Sequence, residues 1–270
     1  MASSGLSRNP PEVDDLRSAR KSSGRWADET TEREIVQLLG KRALPDIEWL
    51  DRVTHREPVE ILAVLGETAD LIPIERSIHR ALDRSGRTYY AQFPAPLELY
   101  VITRLLHPRH AVESGVSSGL SSAHILMGLE RNGGGQLHSI DLPQYQKAEK
   151  RLKGELSWSI PPGKDSGWAI PTRLKRDWDL RKGRSEDVLP GLLRQLPSVD
   201  LYCHDSPWTA GHLAFEFETI RPKLHPGSIV VADNTDVNPG AARTLARAFA
   251  TKVRPRGTSS LIGIRIPSLG

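Results

Sequence analysis

The sequence predicts an α/β fold: a doubly wound, mostly parallel sheet with an antiparallel edge strand, preceded by an N-terminal helical cap. Three observations predict it. From residue 97 onward, short apolar runs alternate with helix-periodic stretches, which is the signature of strands joined by crossover helices. The runs end in polar or acidic residues, where a sheet of this kind opens its ligand crevice. Upstream, apolar residues recur at helical spacing between punctuating prolines.

The chain has 270 residues, with 37 Lys and Arg against 33 Asp and Glu. A chain of this length buries roughly three quarters of its unfolded surface, enough for one large domain with a small accessory piece. No apolar run approaches the roughly 20 residues of a membrane-spanning helix, and the first residues lack the apolar core of a secretory signal. The expectation is a soluble, cytoplasmic protein with no membrane partner. The net charge of +4 is mild and its basic residues are interleaved with acids, so nucleic acid is not indicated as a partner. The single cysteine, Cys203, excludes an internal disulfide framework and a multi-cysteine zinc site. It lies in the mostly apolar run Val199 to Cys203, where a buried structural thiol is expected.

Residues 1–30 hold almost nothing to bury and read as a disordered tail. Glu12, Asp14 and Asp15 argue against an organellar transit peptide there. Residues 31–96 form the cap and its connector. Ile35, Leu38 and Leu39, then Ile47 and Leu50, then Ile61, Leu62 and Leu65, then Ile74, Ile78 and Leu82 mark three or four short helices. Pro58 is placed as a first helical residue. Tyr89, Tyr90, Pro94 and Pro96 make the connector. In residues 97–270 strands are expected at His110 to Glu113, Gln136 to Asp141, Asp179 to Gly183, Val199 to Asp205 and Ser228 to Asp233. Helices are expected at Leu120 to Arg131, Gln144 to Leu156, Glu186 to Leu196, Ala210 to Leu224 and Ala241 to Lys252. A final run, Ser260 to Ile266, is expected at the sheet edge.

The first strand runs into V-E-S-G-V-S-S-G-L-S-S, which puts Glu113, Gly115 and Gly119 on a strand-to-helix turn. Glycines there let a ligand approach the backbone, and the following helix offers its first amides. The spacing is Gly-x-x-x-Gly rather than the Gly-x-Gly-x-x-Gly of a dinucleotide site, which opposes a nicotinamide dehydrogenase. Asp141 ends the next strand, where a carboxylate can accept both hydroxyls of a ribose or simply cap a helix.

These residues resemble a known family. E-S-G-V-S-S-G-L-S-S, S-I-D-L-P, K-G-R-S-E-D-V-L-P-G-L-L, D-L-Y-C-H-D-S and L-H-P-G-S-I-V-V-A-D-N look like the successive motifs of class I S-adenosylmethionine-dependent methyltransferases, whose fold is Rossmann-like. G-W-A-I-P at 167–171 and F-E-F-E-T-I-R-P-K-L at 215–224 look like the bacterial small-molecule O-methyltransferase branch. The resemblance covers about residues 94–267 and implies transfer of a methyl group from S-adenosylmethionine to a hydroxyl oxygen of a small molecule. It implies that Glu113 and Gly115 lie by the methionine moiety, with Gly119 and Ser121 on the turn beside it. Asp141 would hold the ribose, and Gly183, Arg184 and Ser185 would flank the adenine. Asp205 would face the methyl group and the acceptor. In metal-dependent relatives of the catechol O-methyltransferase type, positions matching Asp205, Asp233 and Asn234 bind a divalent cation. Two carboxylates and an amide oxygen suit a hard ion such as Mg2+; the alternative is that Asp205 contacts substrate and Asp233 caps the next segment.

The sequence departs from the family after His204-Asp205-Ser206, where relatives often carry a further histidine and this chain has Pro207, Trp208 and Thr209. The general base is therefore open among Asp205, His204, His212 and a bound metal. His124 and His138 are expected to pack inside their elements, and Trp168 either lines the acceptor pocket or packs in the core. Glu216 and Glu218 fit the solvated face of a helix. An N-methyltransferase, a relative of the same fold known as a hydroxylase, and a catalytically silent binding protein stand as alternatives. A homo-oligomer is left open.

Overall fold

A computed structural model of the chain describes residues 45–85, 93, 95–143, 160–161, 163–207, 209–233, 240–249, 254–255 and 261–267. The expected tail, the Ile35 to Leu39 helix, the tyrosine pair of the connector, the Gln144 to Leu156 helix, Trp208 and Asn234 lie outside these residues. The helices are α1 (Ile47–Thr54), α2 (Pro58–Gly66), α3 (Ile72–Ser85), α4 (Pro96–Leu106), α5 (Leu120–Asn132), α6 (Ser185–Gln195), α7 (Ala210–Ile220) and α8 (Ala241–Phe249). The strands are β1 (His110–Ser114), β2 (Gln136–Asp141), β3 (Trp178–Lys182), β4 (Val199–His204), β5 (Leu224–Ala232), β6 (Arg254–Pro255) and β7 (Ile262–Arg265). They form one seven-stranded sheet in the order β3-β2-β1-β4-β5-β7-β6. The first five strands are parallel, and β7 runs antiparallel to both β5 and β6. This is the doubly wound sheet that the sequence predicts.

Local chemistry sets most boundaries. Asp46 caps α1 by accepting the Trp49 N–H at 2.8 Å. Pro58 opens α2 at a position that needs no donor, with Glu57 and Glu60 forming a capping box. Gly133 ends α5 in the left-handed region at φ 79°. The helix after β4 is shorter than expected. Pro222 has no N–H to continue it, so α7 stops at Ile220, a tight turn takes Arg221–Lys223, and β5 already begins at Leu224. The last expected strand is not the edge either. β7 is covered by the two-residue β6, so the edge left open there is short. Among the described residues, no helix is long and apolar enough to cross a membrane.

Both faces of the sheet are covered, which is why its strands read as apolar runs. On one face Val112, Ile140, Tyr202, Val230 and Ile264 pack with Leu189, Leu213, Phe217 and Leu245 of α6, α7 and α8. On the other, Ala111, Leu137, Leu201, Cys203, Ile229 and Val231 share a core with α4, α5 and the cap helices. Cys203 is buried there as expected, and burial, with the nearby Glu113, Asp205 and Asp233 carboxylates, pushes its thiol well up.

The cap is part of this second core rather than an appendage. Trp49 and Val53 of α1 pack on Gly263 of β7, where a Cβ would come within 2.9 Å of the indole. The Arg265 side chain donates to the Thr54 carbonyl at 3.0 Å. Arg104 of α4 grips Glu67 with two donors at 2.7 and 2.8 Å, and the Tyr100 hydroxyl adds a third. His124 of α5 does more than pack: its Nδ1 meets the Leu120 carbonyl at 2.8 Å and its Nε2 pairs with buried Glu75 of α3. α4, which straddles the boundary expected at residues 96 and 97, carries eight buried residues between the cap and the sheet.

Because Trp49 is fully buried in a core common to cap and sheet, Trp49→Ala should lower stability by about 3–5 kcal/mol. Calorimetry should show one unfolding transition shifted as a whole. A separate low-temperature transition would contradict the shared core.

Candidate functional site

The chain reverses its winding direction between β1 and β4, which are neighbours in the sheet although helices and two strands separate them in sequence. Ligands of open α/β sheets bind beyond the strand ends at such a switch point. Here the two strand ends touch. Gly115, at φ 91°, lies so close to the segment after β4 that a Cβ would sit 2.0 Å from the Asp205 carbonyl oxygen. The Gly115 N–H donates to Ile140 and the Asp205 N–H to Ser114, so the ends of β1, β2 and β4 are drawn together. The Asp233 N–H continues the pattern by donating to His204 at 2.9 Å.

Gly119, at φ 88°, ends the turn and starts α5 without a side-chain cap. Its free side is filled by Ile170, 2.5 Å from the position of a Cβ. The 166–170 segment is laid along the turn by two backbone bonds, Gly167 to Ser117 at 2.8 Å and Ala169 to Ser118 at 3.0 Å. Trp168 is partly buried against the cap-side core, and its buried indole N–H has no hydrogen bond among the described residues. Gly167 itself leaves no room for a Cβ, which would meet the Trp178 ring at 2.4 Å.

The carboxylates have distinct surroundings. Glu113 is fully buried and accepts three hydroxyls: Ser121 at 2.6 Å, Ser122 at 2.6 Å and Ser139 at 2.7 Å. Trp178 in turn donates to Ser139 at 2.8 Å. Burial pushes the Glu113 carboxyl up, the three hydroxyls oppose this, and Asp141 adds to it. Glu113 and Ser121 therefore brace the turn from beneath, while Ser122 and Ser139 are participants that the motif reading did not single out. Asp141, nearly buried, accepts the Val116 N–H at 3.2 Å and a short hydrogen bond from Ser166. The Gly183 N–H donates to the Asp141 carbonyl at 2.9 Å, which sets the 183–185 turn beside it. Arg184 is solvent-facing and pairs with Glu186 at 3.2 Å, whereas Ser185 is buried.

Behind β4 lies another buried carboxylate. Glu216 of α7 is not on a solvated face: it is fully buried and accepts Tyr202 at 2.6 Å, His204 Nδ1 at 2.6 Å, Ser206 at 3.0 Å and His212 Nε2 at 3.0 Å. Burial would raise its pKa, yet these partners hold it well below the usual carboxylate range. Glu218, by contrast, is exposed and pairs with Arg221. His204 is fully buried, edge-on to Phe217 at 5.7 Å, and its Nε2 has no hydrogen bond among the described residues. It reaches the loop after β4 through Ser206, at 3.3 Å. His138 bonds Asp179 across β2 and β3 at 3.1 Å, at the far end of the sheet.

The sequence-predicted metal set is met in part. Asp205 and Asp233 directly follow residues paired across β4 and β5, His204 with Ala232, while Asn234 lies outside the described residues. Among the described residues no group of three or more His, Cys, Asp or Glu can hold a metal ion. The described side chains do not make up a cation site.

No curated protein sequence matches the chain. Among solved structures it is similar to a Klebsiella pneumoniae protein assigned as an O-methyltransferase, at 15% identity over 76% of this chain and 96% of that one, with a TM-score of 0.52. It is also similar to the O-methyltransferase from Bacillus cereus solved in complex with SAH, at 14% identity over 75% and 96% of the two chains, with a TM-score of 0.50. At these identities the likeness is one of fold. Residues 112–235, from β1 past the end of β5, match the family model described as a methyltransferase domain. The 112–235 segment is thus similar to a methyltransferase domain, and the sheet that contains it has the fold of these two solved structures.

Proposed function

We propose that the protein transfers a methyl group from S-adenosylmethionine to a hydroxyl oxygen of a small molecule. The observation that carries the reading is the contact of Gly115 with the Asp205 carbonyl, which brings the cofactor turn and the end of β4 into one crevice. The likeness to two structures assigned as O-methyltransferases supports oxygen as the acceptor atom.

In this reading the bare backbone of the 115–119 turn lies against the methionine part of the cofactor. Glu113 keeps that turn in shape from below through Ser121 and Ser122. Asp141 accepts the ribose hydroxyls, sharing its carboxylate with Ser166. Gly183, Arg184 and Ser185 border the adenine. The cofactor supplies a methyl group on a sulfonium. As the acceptor oxygen forms its bond to the methyl carbon and the carbon–sulfur bond breaks, the hydroxyl proton passes to Asp205. His204 is too buried to meet the acceptor and acts through Ser206. Catalysis then rests mainly on holding oxygen, carbon and sulfur in line, with proton removal as a smaller contribution.

Incubation with labelled S-adenosylmethionine and a panel of hydroxyl and amine acceptors tests the reading, which expects label on hydroxyl acceptors. Label confined to amines would replace oxygen by nitrogen. Asp141→Ala should weaken S-adenosylhomocysteine binding by roughly 1–3 kcal/mol in calorimetry, the scale of unmade hydrogen bonds to a charged acceptor. Unchanged affinity in a folded variant would remove the ribose assignment. Gly115→Ala must adopt a left-handed φ and meet the Asp205 carbonyl, so it should abolish cofactor binding and destabilise by more than the roughly 1–2 kcal/mol of the backbone conformation alone. With the proton assigned to Asp205 itself, transfer should persist in excess EDTA; loss of transfer in EDTA, restored by Mg2+, would reassign Asp205 and Asp233 to a cation.

A further inference from the structure

We propose that His212 is a positioning residue, an imidazolium that ties the adenine side of the crevice to the loop carrying Asp205. The inference rests on the methyl-transfer reading above and adds a residue that reading does not use.

The geometry around the ring is closed on both sides. His212 Nδ1 lies 3.2 Å from Glu186 Oε1, in the first turn of α6. Its Nε2 lies 3.0 Å from Glu216 Oε1, one turn along α7. A carboxylate cannot donate, so a ring with a carboxylate at each nitrogen carries both protons and is a cation. Nε2 also lies within 3.2 Å of the Ser185 hydroxyl and 3.0 Å of the Ser206 hydroxyl. Ser185 belongs to the turn that would border the adenine, and Ser206 follows Asp205 directly. One imidazolium thus holds two hydroxyls whose neighbours contact opposite ends of the cofactor. With both nitrogens donating, His212 has no lone pair for an acceptor proton, so its part is in placement.

The groups facing the ring are Glu186 and its partner Arg184 from the start of α6, Glu216 on its own helix, and His204 and Tyr202 from β4 behind Glu216. Arg184, followed by the backbone and His212, holds the Glu186 carboxyl down to about 2, so it stays ionised through the working range. The Glu216 hydrogen bond raises the His212 pKa above its usual value against the opposing effect of burial. A raised histidine pKa means that the bridge is intact below the ordinary imidazole range and is lost as pH climbs through the raised value. Loss of the proton from Nδ1 would set a lone pair against Glu186, and loss from Nε2 would set one against Glu216, so the bridge between α6 and α7 would open.

The test uses the full chain with S-adenosylmethionine and whichever acceptor shows turnover, comparing wild type, His212→Ala and His212→Gln. Wild type should show a falling limb in kcat on the alkaline side of the ordinary imidazole range. His212→Ala should cut kcat by between roughly 10-fold and 100-fold, the scale of a small misplacement of reacting groups, and should also raise the KM for S-adenosylmethionine. His212→Gln, which donates but does not titrate, should recover much of that rate and abolish the falling limb. A role in folding alone would lower Tm in both variants while leaving the shape of the pH profile and the KM of the folded fraction unchanged, and that result overturns the inference. So does a His212→Ala protein that matches wild type in kcat, KM and pH profile while wild type binds S-adenosylhomocysteine and transfers methyl. A wild-type protein that neither binds S-adenosylhomocysteine nor transfers methyl overturns the methyl-transfer reading and this inference with it.

Discussion

The contact between Gly115 and the Asp205 carbonyl governs the rest of the crevice. Two strands that are distant in sequence end side by side, and the chain leaves each in a different direction. The loop after β4 can approach the turn after β1 because position 115 has no Cβ and tolerates φ 91°. Asp205 is thereby set beside the 115–119 turn. Gly119 and Gly167 extend the same principle outward, each replacing a side chain by a neighbour's packing, so the 166–170 segment can lie on the turn and offer Ser166 to Asp141.

Around that contact the protein buries acids and satisfies them with hydroxyls and rings rather than with arginines. Glu113 on one side of the sheet takes three serines; Glu216 on the other takes a tyrosine, a serine and two histidines. A buried carboxylate left unpaired would be costly, but once fully bonded it holds its donors at fixed positions. Glu113 thereby fixes the first turn of α5 to β1 and β2, and Glu216 fixes α7 and the Asp205 loop to β4. The opposite directions in which their carboxyls are shifted follow from their partners. Glu113 has neutral hydroxyls and a nearby Asp141, and Glu216 has rings that can carry positive charge.

The cap stabilises this arrangement at a distance. Glu75 reaches His124, which also bonds the Leu120 carbonyl in the first turn of the helix that starts at the glycine turn. Trp49 and Val53 close the other end over β7.

The alternation of apolar runs with helix-periodic stretches by itself determined the doubly wound sheet, because strands buried on both faces must be continuously apolar and the helices that cover them cannot be. The Gly115 to Gly119 turn and Asp141 were legible for a related reason: backbone freedom and a strand-end carboxylate are properties of single positions. Glu216 was not legible. Its spacing fits a solvated helix face, and only the tertiary structure, by packing α7 against β4, places Tyr202, His204, Ser206 and His212 around it. Ser122, Ser139 and Ser166 were hidden likewise, since a serine is ordinary in sequence until a distant carboxylate meets it. The helix end at Ile220 was visible as Pro222, but the placing of β7 inside β6 required pairing between segments that carry no local signal of order. Local rules act on neighbours in the chain, whereas the partners of a buried charge are chosen by how the layers close.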